Sequence, residues 1–168
     1  MFLILFLYIQ ITTAACNSDY PYPCNGSCYQ CGDPTYRLSC KRAVCFKCKA
    51  GAYVDTEDSC ANCPPGSYQP EDNIETSCYS CKPGTANPYY FESSCYNCNY
   101  GCYQPDYGQT DCIVCPAGKY QPNLGASSCL TCPAGSYSAS RATSCTKCSP
   151  GYYQGSSGKT SCSACPAG

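Results

Sequence analysis

The 168-residue sequence contains no histidine and, past residue 15, only ten Leu, Ile, Val, Met or Phe residues. The missing histidine excludes His-based acid/base catalysis, Ser-His and Cys-His nucleophile pairs, and every His-containing metal site. Leu38, Val44, Phe46, Val54, Ile74, Phe91, Ile113, Val114, Leu124 and Leu130 are far too few large apolar side chains for an ordinary packed core over 153 residues. Charge is scarce and balanced: ten basic against eleven acidic residues leave a net charge of −1, so no field draws the chain to nucleic acid or anionic lipid. What is abundant is cysteine. Its 22 copies in 168 residues are about 13 %, above the level that marks a disulfide scaffold. Covalent cross-links must replace the absent core.

Residues 2–11 (FLILFLYIQI) form an apolar run too short to span a bilayer, followed by Thr12-Thr13-Ala14-Ala15. This pattern fits a secretory signal over 1–15 with cleavage between Ala15 and Cys16, although no Lys or Arg lies near Met1. The competing readings are a buried strand and, with Thr13 in place of the usual Leu, a lipidated Cys16. A signal would deliver the chain to an oxidising compartment where disulfides persist. No second apolar stretch reads as a membrane segment.

The cysteines fall into nine C-x-x-C pairs, at 28/31, 45/48, 60/63, 78/81, 95/98, 112/115, 129/132, 145/148 and 162/165. Their starts lie 17, 15, 18, 17, 17, 17, 16 and 17 residues apart, the period of a linear repeat array. From Cys48 onward a Gly follows each second Cys by three residues, from Gly51 to Gly168. Two residues later stands Tyr53, Tyr68, Tyr103, Tyr120, Tyr137 or Tyr153, with Ala86 the exception. In CPxGxY, Pro fixes φ and Gly admits the positive φ of a turn. Tyr then opens a short extended segment, its ring free to lie on a neighbouring disulfide with the hydroxyl toward water. A polar tip such as Gln69-Pro70-Glu71-Asp72-Asn73 reverses the chain, and Ser/Thr-Ser-Cys closes it. The fold class expected is small and disulfide-rich: an elongated linear array of irregular β-hairpins of about 17 residues, with no substantial helix after the signal.

Over about residues 45–168 the CPxGxY…[ST]-[SD]-CxxC pattern resembles the ephrin type-A/B receptor-like cysteine-rich repeats of the growth-factor-receptor cysteine-rich superfamily. These are similar in style to the first half-modules of tumour-necrosis-factor receptors. The resemblance implies an extracellular stack of disulfide-linked hairpins, and neither ephrin binding nor kinase activity. Residues 16–44 depart from the pattern, with Cys16, Cys24 and Cys40 outside the pairs, and read as an N-terminal cap.

Cysteine pairs at C-x2-C-x14-C-x2-C, as at 60–81, approach zinc-ribbon spacing. The signal-like segment, the nine pairs in phase and the lack of His favour disulfides over metal. Thioredoxin-like redox chemistry needs a helix where Gly follows each pair and Pro most of them, which forbids it. No catalytic residue, metal or cofactor is expected, and the chain reads as no enzyme. Spacing alone leaves connectivity open. A rule suggested by geometry closes each hairpin from the second Cys of one pair to the first of the next: Cys48-Cys60, Cys63-Cys78, Cys81-Cys95, Cys98-Cys112, Cys115-Cys129, Cys132-Cys145 and Cys148-Cys162. Each loop of that length contributes about 3 kcal/mol by restricting the unfolded chain.

Further features have two readings each. Asn25-Gly26-Ser27 is the one glycosylation sequon. Arg37, Lys41, Arg42, Lys47 and Lys49 form a solvated face or a docking site for an acidic glycan or partner. Around the unit that lost its regular Tyr, Tyr89 or Tyr90 replaces Ala86 in packing, or Tyr89, Tyr90 and Phe91 form a contact surface. Cys102 is surplus: it rearranges locally with Cys95 or Cys98, or pairs with the cap, with another chain, or with nothing. The sequence stops at Cys165-Pro166-Ala167-Gly168, the opening of another unit, so the native protein is expected to run on. The function expected is an extracellular structural spacer (coat, stalk or matrix rod) of about 100 Å if eight hairpins stack. The alternative is a receptor-type ligand-binding module for an extracellular protein or glycan.

With so little aliphatic burial, reduction should unfold the chain: dithiothreitol is expected to collapse the near-ultraviolet circular dichroism of the tyrosines, and EDTA to leave it unchanged. A reduced chain that stays folded, or is rescued by zinc, contradicts the disulfide reading.

Overall fold

The computed structural model describes residues 47–55 and 59–166, together with the strands Gln10–Thr12, Pro23–Cys24, Ser27–Gln30, Arg37–Ser39 and Val44–Phe46. Most of the expected signal 1–15 and of the 16–44 cap, Asn25, Lys41 and Arg42 lie outside the described residues. Within these N-terminal stretches Ser27–Gln30 pairs antiparallel with both Gln10–Thr12 and Pro23–Cys24, and Arg37–Ser39 pairs with Val44–Phe46.

The described residues contain no helix, and from residue 52 onward seven antiparallel hairpins follow in chain order. Ala52–Val54 pairs with Cys60–Asn62, Ser67–Tyr68 with Tyr79–Ser80, Thr85–Ala86 with Tyr96–Asn97, and Cys102–Tyr103 with Ile113–Val114. Lys119–Tyr120 pairs with Leu130–Thr131, Ser136–Tyr137 with Thr146–Lys147, and Tyr152–Tyr153 with Ser163–Ala164. Six of the seven have strands of two residues, too short for independent stability. Disulfides join Cys48–Cys60, Cys63–Cys78, Cys81–Cys95, Cys98–Cys112, Cys115–Cys129, Cys132–Cys145 and Cys148–Cys162, with Cα atoms 5.5–5.8 Å apart. The opening Cys of each of the first six bridges is completely buried.

The chain divides into two units. The first comprises Met1–Cys63, Gln69–Cys78 and Phe91–Ser93, the second Pro64–Tyr68, Tyr79–Tyr90 and Ser94–Gly168. In the first, Cys48, Ala52 and Val54 form a small buried cluster against which Phe46 and Ile74 pack. Cys48 and Asn73 exchange both backbone hydrogen bonds, the Val54 N–H donates to the Glu75 carbonyl, and Asn73 Nδ2 donates to the Ala52 carbonyl. The turn glycine Gly51, at φ 85°, donates to the Gln69 carbonyl.

The second unit repeats one set of backbone bonds from hairpin to hairpin. Each turn-glycine N–H donates to the residue after the next hairpin's Tyr position: Gly66 to Asn87, Gly84 to Gln104, Gly101 to Gln121, Gly118 to Ser138 and Gly135 to Gln154. Each tip donates back to the preceding opening cysteine, as Gly108 does to Cys81, Gly125 to Cys98, Arg141 to Cys115 and Gly158 to Cys132. The tip residue also has a left-handed backbone: φ is 69° at Gly108, 68° at Gly125, 60° at Arg141 and 72° at Gly158. That conformation aims its carbonyl at the turn glycine two hairpins earlier. A Cβ added to Gly66, Gly84, Gly101 or Gly118 would overlap the carbonyl oxygen of Gly108, Gly125, Arg141 or Gly158 respectively. The turn glycine is therefore required twice, by its φ and by this contact.

Gln69, read from sequence as the start of a polar tip, is only 2 % exposed. The residue after the repeat Tyr is a core position, filled by Gln69, Asn87, Gln104, Gln121 and Ser138. The reason is its backbone, which pairs with a neighbouring hairpin, and its side chain, which has its own partners. Gln121 Nε2 donates to the Ser128 carbonyl while its Oε1 accepts the Asn123 N–H; Gln104 does the same with Asp111 and Asp106. Among the described residues no buried side-chain nitrogen or oxygen lacks a hydrogen bond. The sign was in the sequence as Tyr-Gln at 68/69, 103/104, 120/121 and 153/154.

Cys102 corrects a second expectation. Cys95 and Cys98 are bonded to Cys81 and Cys112, so no local rearrangement takes up the surplus thiol, which is free and 6 % exposed. That burial keeps it from a second chain unless the hairpin opens. It occupies the place of Ser67, Thr85 and Ser136, whose hydroxyls donate at 2.7 Å to the carbonyls of Pro64, Lys82 and Pro133.

Two outcomes follow from these contacts. Gly118→Ala, which meets a backbone carbonyl, should lower stability by roughly 3 kcal/mol or more. Gly135→Ala has the same left-handed φ and open space around it, and should cost only the conformational strain of about 1–2 kcal/mol. Denaturant midpoints of the oxidised variants give the comparison, and equal losses would refute the role of the tip carbonyl. Cys102→Ser should keep all seven bridges on peptide mass mapping and shift stability by no more than about 1 kcal/mol, because a hydroxyl there has the Asn99 carbonyl as acceptor. Scrambled bridges in that variant would show that the thiol maintains the pairing.

Candidate functional site

The tyrosine-rich stretch surrounds the one unit whose regular Tyr is replaced, at Ala86. In the second hairpin the regular Tyr68 faces Tyr79 across the strands, ring centroids 5.9 Å apart. In the third, Ala86 is opposite Tyr96 and buried, leaving the Tyr96 ring without that neighbour. Tyr89 supplies it from the tip, meeting Tyr96 edge to face with centroids 6.3 Å apart. Asn87 holds the tip in place: it is fully buried, its Nδ2 donates to the Ser67 carbonyl, and its Oδ1 accepts the Tyr89 N–H at 2.9 Å. Both rings are open to solvent, at 60 % and 49 % exposure.

The two rings border an open cleft of about 620 Å³ within the second unit. Asn97, Asn99, Asp111 and Arg141 contribute polar groups to its lining, and the buried Cys102 lines it as well. The Asp111 carboxylate accepts the Thr110 hydroxyl at 3.1 Å. Arg141 makes no ion pair with any described residue, although its backbone N–H is bonded to the Cys115 carbonyl. The arrangement offers two aromatic faces, one free guanidinium, one carboxylate and several amide and hydroxyl groups.

Of the three aromatic residues singled out in the sequence, Tyr89 lines this cleft; Tyr90 and Phe91 do not. Tyr90 is 67 % exposed. Phe91 has a backbone role in the first unit. It is left-handed at φ 62°, its N–H donates to the Cys63 carbonyl, and its carbonyl is where a Cβ on Gly51 would fall. Asp111 and Arg141 were missed, because 45 residues separate Arg141 from Tyr96 and no local motif joins them.

The described part of the basic segment is engaged within the fold. Lys49 Nζ lies 2.9 Å and Lys47 Nζ 4.0 Å from Asp72 Oδ2. The hydrogen bond from Lys49, then that from the Ala50 N–H, holds the Asp72 carboxyl below the usual carboxylate range. Those two lysines are therefore partly neutralised as a docking surface.

The fold and this geometry agree with the comparisons. Residues 107–137 and 135–168 match the family described as tyrosine-protein kinase ephrin type A/B receptor-like, two adjacent stretches spanning 62 of the 168 residues (107 to 168). No curated protein matches the chain. The match is narrower than the 45–168 resemblance read from the motifs, but the hairpins before residue 107 carry the same bridges and turn glycines. Residues 107–168 are similar to ephrin type A/B receptor-like repeats, and the run of disulfide-closed hairpins ahead of them is consistent with the same cysteine-rich kind.

Proposed function

We propose that the chain is an extracellular structural spacer that sets a distance between, or presents, other components of a cell surface or matrix. The observation that carries this reading is the backbone coupling in the second unit, where each hairpin is bonded to the next and abuts the one after it. Such coupling depends on Gly, Cys and main-chain atoms and is indifferent to most side chains, which suits a part whose task is to keep its form. Seven disulfides and the likeness to receptor-type repeats support an oxidising, extracellular setting. In this reading residues 1–15 are a signal, 16–44 a cap bearing a glycan at Asn25, and 45–168 the repeats. Among the described residues no helix is long and apolar enough to cross a membrane. The family matched is a receptor-like module and not an enzyme family. The open cleft beside Tyr89 and Tyr96 favours a second reading, a ligand-binding module. Small-angle scattering of the secreted chain is the test. A spacer should give a radius of gyration well above the about 15 Å of a compact chain of this length. A value near that figure overturns the proposal.

A further inference from the structure

The cleft in the second unit has the size of a small-molecule site, about 620 Å³ against the roughly 300–1,000 Å³ typical of such sites. Its wall is not apolar throughout, and its chemistry is specific. Tyr89 and Tyr96 stand at 86° to one another, so they form a corner of two exposed aromatic faces. Tyrosine rings at such a corner pack well against a ligand with an apolar face and hydroxyls at its rim. Asn97 and Asn99 add amide donors and acceptors, and Asp111, which accepts one internal hydroxyl, has further lone pairs to offer.

Arg141 decides the charge of the ligand. Gly108, Gly125 and Gly158 occupy its place in three other hairpins and Phe91 in a fourth, each with a left-handed φ. Of the two non-glycine tips, Phe91 does not line the cleft and Arg141 alone does. Its guanidinium has no carboxylate partner among the described residues, and a planar five-donor fork matches a carboxylate in bidentate fashion. Asp111 in the same cleft would repel a doubly charged anion such as a phosphate monoester. One carboxylate accompanied by several hydroxyl donors suits the one cation, one acceptor and two ring faces.

We propose that this cleft binds a carboxylated sugar, a uronate or sialate residue of a glycan, with the carboxylate on Arg141, hydroxyls on Asp111 and the asparagines, and the pyranose face on Tyr96 or Tyr89. This goes beyond the spacer reading and does not depend on it. The test is titration calorimetry or ligand-observed magnetic resonance on the full oxidised chain. The probes are 3′-sialyllactose, a hyaluronan tetrasaccharide, neutral lactose and a short polyglutamate peptide. One of the two acidic sugars should bind at least roughly tenfold more tightly than lactose and the peptide, and which one it is distinguishes sialate from uronate. Arg141→Gly should lose that preference with its thermal midpoint unchanged or raised, since glycine is native to the equivalent tips. Tyr96→Ala should weaken the same sugar while a neutral-sugar baseline stays flat. Failure of both acidic sugars to bind, equal binding of lactose, preferential binding of the peptide, or undiminished binding by Arg141→Gly would each overturn the proposal.

Discussion

A sulfur buried away from all solvent stands at the root of six of the seven repeat hairpins, and the rest of the described structure follows from it. Cys48, Cys63, Cys81, Cys98, Cys115 and Cys132 take the place that leucine or valine holds in a larger core. Each also begins a turn that only glycine completes, and each accepts a hydrogen bond from a neighbouring tip through its carbonyl. Bridge, turn and tip contact thus converge on one residue. With strands of two or three residues in these hairpins, the ladders alone cannot supply the order, because so short a ladder cannot stand alone.

Main-chain atoms carry the repetition in the second unit. A hairpin there is bonded to its successor and touches the one beyond it through glycine, so the contact reaches further along the chain than side-chain packing of the same sparse residues would allow. This explains why the surface tolerates Ile113, Val114, Leu124 and Leu130 at 45–49 % exposure: the few large aliphatics are not what holds the hairpins together. It explains as well why carboxamides serve as core residues. A buried Gln bonded at both ends ties its own tip to its own return strand, which an apolar side chain of equal size cannot do.

The cleft arises from local departures from that repetition. Ala86 stands where the other units have Tyr, Tyr89 meets Tyr96 from the tip, and Arg141 stands where three other tips have glycine. Regular positions maintain the architecture and irregular ones carry chemistry, the division expected when a scaffold repeats and a site does not.

Read alone, the sequence determined the fold class, because cysteine spacing, the CPxGxY turn and the lack of aliphatic residues are local facts and the hairpin is a local structure. Period and phase located the hairpins without any knowledge of their packing. Tertiary structure decided whatever depends on a neighbour one or two hairpins away. That includes the burial of Gln69, Gln104 and Gln121, the left-handed backbones of Phe91 and Arg141, the free and buried state of Cys102, and the meeting of Arg141 with Tyr89 and Tyr96. A residue's chemistry is written at its own position, but its surroundings here come from chain about 17 to 50 residues distant, and such distances leave no mark on a local motif.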